Sequence, residues 1–178
     1  IDAYPCPNPI RQVVCMGRHV KGQIGHGGSI DPKTPIQVAT SSPERDLFSR
    51  VRIVQHASGH YHNIALGSKG DVYTWGDNSK GQLGHGSPIT WDSRHPTRVF
   101  DPNSLSIVQV AAGDYSSYAL TSNGKIYAWG DNSMGQLGIN DTTVTYASRP
   151  KLVKGLDSIR IVSLAAGSGT VIAISSEG

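Results

Sequence analysis

The sequence predicts an all-β fold assembled from repeated antiparallel sheets, on two observations. The phrase VYTWGDNSKGQLG, Val72 to Gly84, returns as IYAWGDNSMGQLG, Ile126 to Gly138, identical at ten of thirteen positions and 54 residues later. The segments IVQHASGHYHNIAL (Ile53 to Leu66), IVQVAAGDYSSYAL (Ile107 to Leu120) and IVSLAAGSGTVIAI (Ile161 to Ile174) align without gaps, with Gly59, Gly113 and Gly167 at the same spacing. Units of this length in strand-like text mark propellers or arrays, in which neighbours cover one another's apolar faces.

The elements follow in chain order. Residues 1–12 read as an N-terminal segment or linker, and residues 13–178 as the repeats: a half unit, two full units and a half unit. The first half unit is VVCMGRHVKGQIG, Val13 to Gly25, a degraded copy in which Met16 stands where Trp75 and Trp129 stand later. A Pro-x-x-Val element recurs at Pro35 to Val38, Pro96 to Val99 and Pro150 to Val153. Each full period therefore reads as a Pro-x-x-Val strand, an Ala-Ala-Gly strand and a Tyr-x-Trp-Gly strand, closed by a Gly-Gln-Leu-Gly turn.

Local chemistry favours strands at these places. Ile-Val-Gln-Val and Val-Tyr-Thr-Trp are rich in β-branched and aromatic residues and are bounded by Gly, Asn, Asp and Ser. Ser68-Lys69-Gly70 and Ser122-Asn123-Gly124 lie between strand-like runs and tolerate positive φ, so the Ala-Ala-Gly and Trp-Gly strands are expected to form a hairpin. Ala111, Ala112 and Gly113 suit close approach of sheets, and Trp75 and Trp129, each followed by Gly76 or Gly130, supply bulk to fill the gap between neighbours.

The series Ala-Ala-Gly-x-x-x-x-x-Ala-Leu, Gly-x-Val/Ile-Tyr-x-Trp-Gly and Asn-x-x-Gly-Gln-Leu-Gly, over roughly Val13 to Gly178, resembles the regulator of chromosome condensation repeat. That resemblance implies a seven-bladed β-propeller with four-stranded antiparallel blades, of which this chain holds about three. The family's usual His-Thr after the glycine is reduced here to His62 followed by Asn63, with Ser116 and Thr170 in the other copies. Three units do not close a ring, so the ring is expected to be completed by the rest of a parent chain or by another copy.

Composition narrows function. A net charge of +3 with no run of five Lys or Arg permits nucleic-acid or membrane-surface binding without indicating it. Cys6 and Cys15 make no metal-type spacing, and no stretch of about 18 apolar residues argues for a membrane span. The expected location is intracellular, nuclear or cytoplasmic.

No catalytic residue, metal site or cofactor is read from the text. His60 and His62 alternate with Tyr61 and would share one side of a strand, but no third ligand is suggested. Asp77-Asn78-Ser79 and Asp131-Asn132-Ser133 lack the calcium-loop spacing and read as Asx turns. No Gly-x-Ser-x-Gly elbow is present. Trp91 has no repeat counterpart, its place one period later being Thr145, and with Arg94 and Arg98 it forms one candidate partner-binding group. The first connection, Gly25 to Gly59, is five residues longer than the next two, which places Arg45, Phe48 and Arg50 in a candidate basic-aromatic loop.

The expected function is that of a non-catalytic scaffold binding a protein partner through rim loops. The resemblance also implies an alternative, nucleotide exchange on a Ran-like small GTPase in association with chromatin. Related propellers serve as modules of ubiquitin ligases, as a plant ultraviolet-B photoreceptor and as a bacterial β-lactamase inhibitor. The photoreceptor's Gly-Trp-Arg-His-Thr text is absent from this chain.

Overall fold

Strand-forming text organised by turn residues yields sheets of two and four strands. The computed structural model describes residues 13–28, 31, 33–38, 51–86, 92–100 and 105–177. A two-stranded sheet pairs β1 (Val14–Cys15) with β2 (Ile36–Gln37). A four-stranded antiparallel sheet follows in the order β3 (Ile53–Ser58), β4 (His62–Gly67), β5 (Val72–Gly76) and β6 (Ser93–Phe100). Its repeat has the same order: β7 (Ile107–Ala112), β8 (Ser116–Thr121), β9 (Ile126–Asp131) and β10 (Tyr146–Leu152). The last sheet pairs β11 (Ile161–Gly167) with β12 (Thr170–Ser175). The fold is all-β, as the alternating text predicts, and no helix among the described residues is long and apolar enough to cross a membrane.

The fourteen-residue Ala-Ala-Gly element was expected to be one strand; it is two. The chain reverses at Gly59, His60 and Tyr61, where the Gly59 amide donates to the His62 carbonyl at 2.9 Å, and Gly113 does the same to Ser116 at 2.9 Å. Fourteen extended residues would span about 46 Å, well beyond an ordinary strand. The reversal also requires a glycine. A Cβ on Gly59 would fall on the His62 ring and on the Gly113 carbonyl of the next sheet. One consequence is that His60 and His62 do not share a side: His60 is exposed in the turn, whereas His62 is 1% exposed at the start of β4.

The expected hairpin is present between β4 and β5, registering His62 with Gly76, Ile64 with Thr74 and Leu66 with Val72. Its turn is held by the Gly67 amide on the Asp71 carbonyl at 2.8 Å, with Gly70 at φ +91°. The core lies between the sheets. Val72, Ile64 and Leu66 of one blade meet Val110, Tyr118, Leu120 and Trp129 of the next, and β7 packs against β3, β4 and β11. Trp75 belongs to a smaller cluster with Val38, Ala65 and Tyr73 at the junction with the first sheet.

Candidate interaction surface

The repeated residues are consumed in joining one blade to the next. The Trp129 indole donates to the Gln82 carbonyl of the preceding blade at 2.9 Å, and the Ser117 hydroxyl donates to the same oxygen at 2.8 Å. One blade earlier, the Trp75 indole and the Asn63 amide donate to the Gln23 carbonyl at 3.0 and 2.7 Å. Trp129 and Trp75 are 0% and 2% exposed, so bulk and donor act together as a wedge. Gly25 and Gly84 permit this approach: a Cβ on either would lie 2.7 Å from the indole nitrogen. Nearer the middle of the arc, Gln55 accepts from the Val110 amide at 3.0 Å, and Gln109 accepts from the Leu164 amide and donates to its carbonyl.

The Asp-Asn-Ser-x-Gly-Gln-Leu-Gly turn is itself a hydrogen-bonded knot. Ser79 Oγ and Gln82 Nε2 donate to Asp77 Oδ2 at 2.7 and 2.6 Å, and Asn78 Oδ1 accepts from the Leu83 amide at 3.1 Å. Asp131, Asn132, Ser133, Gln136 and Leu137 repeat the pattern. A lysine of the preceding blade approaches each carboxylate: Lys21 Nζ is 3.6 Å from Asp77 and 3.5 Å from Asp92, and Lys80 Nζ is 3.8 Å from Asp131. Burial pushes the Asp77 carboxyl up, but Ser79, Gln82 and Lys21 outweigh it, and its pKa lies below the usual carboxylate value. The two carboxylates raise Lys21 in turn. These aspartates are structural, as the Asx-turn reading anticipates.

Among the described residues His62 is the least solvated ionisable group. Burial lowers its pKa to about 4 despite the opposing pull of Asp77. Its Nε2 is 2.9 Å from Ser117 Oγ, which itself donates to Gln82, so a neutral imidazole closes a chain of hydrogen bonds across the blade junction. Sequence reading passed over Gln23, Gln82 and Gln136, although their recurrence in Gly-Gln-Leu/Ile-Gly was a usable signal.

The inner turns, with the variable position His60, Asp114 and Ser168 and the tyrosines Tyr61 and Tyr115, lie at one end of the sheets. The inner turns meet there: the His60 amide donates to the Asp114 carbonyl and the Asp114 amide to the Ser168 carbonyl, both at 3.0 Å. The His60 ring stacks on Tyr61 at 4.0 Å between centroids and its Nδ1 lies 3.1 Å from Tyr115 Oη. Ser168 Oγ donates to Asp114 Oδ2 at 2.9 Å. Arg94, exposed near the start of β6, belongs to this same end. Arg98 does not. It is exposed four residues along β6, roughly 13 Å away along an extended strand, registered with Tyr73 and 3.8 Å from Asp71. Tyr73 is pushed up to about 12 by burial and by Asp71, with Arg98 opposing.

Trp91, Arg45, Phe48 and Arg50 lie outside the described residues. The described residues flanking 39–50 stand at the end of the sheets opposite those flanking 87–91, since Val38 bonds Val13 and Arg52 bonds Ser68, whereas Gly86 bonds Ser148 and Asp92 bonds Asn78. Among the described residues no cluster of three metal-ligating side chains occurs.

A family model described as the regulator of chromosome condensation (RCC1) repeat matches residues 11–66, 69–120 and 123–174, and a second of the same description matches 53–82 and 107–136. The chain is 39% identical over 131 residues to "Probable E3 ubiquitin-protein ligase HERC4" of Homo sapiens, covering 74% of this chain and 12% of that protein. It is 33% identical over 168 residues to the "Ultraviolet-B receptor UVR8" of Arabidopsis thaliana, covering 93% and 36%. Among solved structures it is similar to yeast RCC1 (Prp20) in its complex with Kap60, with a TM-score of 0.77, 22% identity and coverage of 94% of this chain and 38% of that one. The chain thus spans well under half the length of each. The structural likeness carries the fold: an arc of about three blades of a β-propeller.

Proposed function

Since the chain belongs to the regulator of chromosome condensation repeat family, we propose that residues 13–178 act as a protein-interaction propeller segment without bond-making chemistry, preceded by a linker at 1–12. The observation that carries this reading is the division of labour among side chains. Repeated polar groups such as Asp77, Gln82 and Trp129 are engaged within and between blades, whereas His60, replaced by Asp114 and Ser168 in the other copies, and Arg94, replaced by Ser148, vary between units and gather at one end with the tyrosines Tyr61 and Tyr115. Tyrosine and arginine dominate the energetics of protein interfaces, and a net charge of +3 favours an acidic partner surface. Trp91 and Arg98, and the loop residues Arg45, Phe48 and Arg50, are further contact residues in the proposal. The role is an intracellular one, nuclear or cytoplasmic.

The test is capture by the folded chain in cell extract, identification of the protein held, and binding measured with purified partner. Arg94→Ala and Tyr115→Ala are expected to weaken binding by tenfold or more, on the scale of an interface anchor, while Lys69→Ala at the opposite end leaves it unchanged. Equal binding by all three variants would remove the rim assignment. Accelerated GDP release from a Ran-like GTPase would replace the scaffold reading with exchange.

A further inference from the structure

Three histidines meet where the first sheet joins the second. The turn after β1 copies those after β5 and β9 position for position, with His19 in the place of Asn78 and Asn132, and His26 in the place of His85 and Ile139. In the later turns the asparagine Oδ1 accepts from the Leu83 and Leu137 amides, at 3.1 Å each. His19 Nδ1 takes over that task, accepting from the Ile24 amide at 3.2 Å, while its Nε2–H donates to the Gly28 carbonyl at 2.6 Å. An amide oxygen remains an acceptor at any pH the fold survives, whereas an imidazole nitrogen ceases to be one when it takes a proton. The exchange of asparagine for histidine thus puts a titratable atom where the repeat has an inert one.

The surroundings of that atom are poor in compensation for added positive charge. The His19 and His26 rings stand 4.4 Å apart between centroids, tilted by 58°. The His95 ring of β6 lies over Gly27, where a Cβ would fall on it, and the Gly27 amide donates to the Arg94 carbonyl at 3.2 Å. His26 Nδ1 is buried without a hydrogen-bond partner among the described residues. Its counterpart His85 has Thr74 Oγ1 3.1 Å from Nε2, but the position of Thr74 is held here by Cys15. The ionisable groups acting on His26 are His19 of its own turn and His95 of β6, both of like sign when charged. Beyond Gly22 lie Arg94 and the ion-paired group of Lys21, Asp77 and Asp92, and Asp31 accepts from the His19 amide. Burial, then the two neighbouring histidines, hold the His26 pKa below the ordinary imidazole value. At the following junction the corresponding residues are Asn78, His85 and Arg149, of which one is a histidine.

We propose that the cluster of His19, His26 and His95 is a pH-sensitive latch, holding the turn after β1 against β6 while its imidazoles are neutral and releasing it on acidification. Protonation of His19 removes the acceptor of the Ile24 amide, and protonation of His26 or His95 sets like charges against each other inside one packing contact. Because the His26 pKa is depressed in the closed state, its stabilising contribution is complete above pH 6.5 and is lost as the pH falls through the depressed value. The Gly27 amide grips the Arg94 carbonyl, so release frees the stretch of β6 that carries Arg94. Partner binding through Arg94 therefore weakens in acid, a consequence that rests on the interaction role proposed for that rim.

Hydrogen exchange of the full-length protein, corrected for the intrinsic pH dependence of exchange, tests the latch without any partner. Between pH about 7.5 and about 5, the Ile24 and Gly27 amides are expected to lose protection by about tenfold or more, the equivalent of one pKa unit of coupling. The histidine-free turn from Asp131 to Ile139 should keep its own protection over the same range. His19→Asn, which installs the residue of the other two copies, should leave the Ile24 amide protected throughout, and His19→Asn with His26→Ile should do the same for Gly27. Wild-type protection that does not change with pH overturns the proposal. A loss shared by the turn from Asp131 to Ile139, or one that persists undiminished in the double variant, overturns it as well. Partner binding over the same range separates the two readings. If Arg94→Ala leaves binding intact, the rim reading fails while the exchange result still decides the latch. Binding that depends on Arg94 yet ignores pH while protection falls would break the link between latch and rim.

Discussion

The Trp129 indole nitrogen donates to the Gln82 carbonyl at 2.9 Å, fastening a residue of one blade to the backbone of the blade before it. Bulk and donor can be separated by substitution. Trp129→Ala is expected to cost about 3–5 kcal/mol through cavity formation. Trp129→Phe should cost only about 1–2 kcal/mol, because the Gln82 carbonyl retains the Ser117 hydroxyl. Urea unfolding gives both values, and an alanine cost below that of phenylalanine would contradict the wedge.

Gly84 and Gly155 share a left-handed backbone, at φ +76° each, but differ in surroundings. Gly155→Ala meets no atom within 4 Å and should lose only about 1 kcal/mol to the backbone conformation. Gly84→Ala places a methyl 2.7 Å from the Trp129 nitrogen and should lose a further ~2 kcal/mol, with a red-shifted tryptophan emission. Equal losses would mean that the turn tolerates displacement of the indole.

His62 links stability to acidity. Its folded pKa of about 4 lies below the ordinary value of 6.5, so the unfolded chain binds the extra proton between those values. Stability from this group is complete above pH 6.5 and falls as the pH drops toward 4, by about 3 kcal/mol in all. Thermal unfolding across this window should show the slope in the parent protein, and His62→Gln should flatten it. A slope unchanged by that substitution would assign the acid sensitivity to another group.

Gln82 supports a carboxylate as well as a tryptophan. Its amide donates to Asp77 Oδ2 at 2.6 Å and its Oε1 accepts from the Lys80 amide at 2.8 Å. Gln82→Ala removes both and should destabilise by about 1–3 kcal/mol. It should also raise the Asp77 pKa toward the ordinary carboxylate value, readable by carbon-detected NMR titration. Because the Asp77 pKa is depressed in the fold, its contribution is present above the ordinary carboxylate range and is lost as the pH falls through the depressed value.

The strand text of Val72 to Gly76 and Ile126 to Gly130 was legible because β-branched and aromatic residues declare a strand locally, and the turn at Ser68 to Gly70 declares the hairpin. The wedge role of Trp75 and Trp129 was legible from their spacing. The break at Gly59 was not, since an apolar run gives no sign of where it folds back when the reason is a neighbouring blade's carbonyl. Proximity in the chain likewise does not reveal that Arg94 stands at the rim and Arg98 beside Asp71.

By itself the sequence determined the period, the β character and the order of elements, because these depend on residue type and on short-range turn chemistry. Only the tertiary structure decided what each repeated polar group grips. The acceptors are backbone carbonyls such as those of Gln23 and Gln82, which carry no side-chain identity and lie 52 and 47 residues from the indoles that reach them. The same packing removed His62 from water, and so set its acidity through burial that no neighbouring letter in the chain encodes.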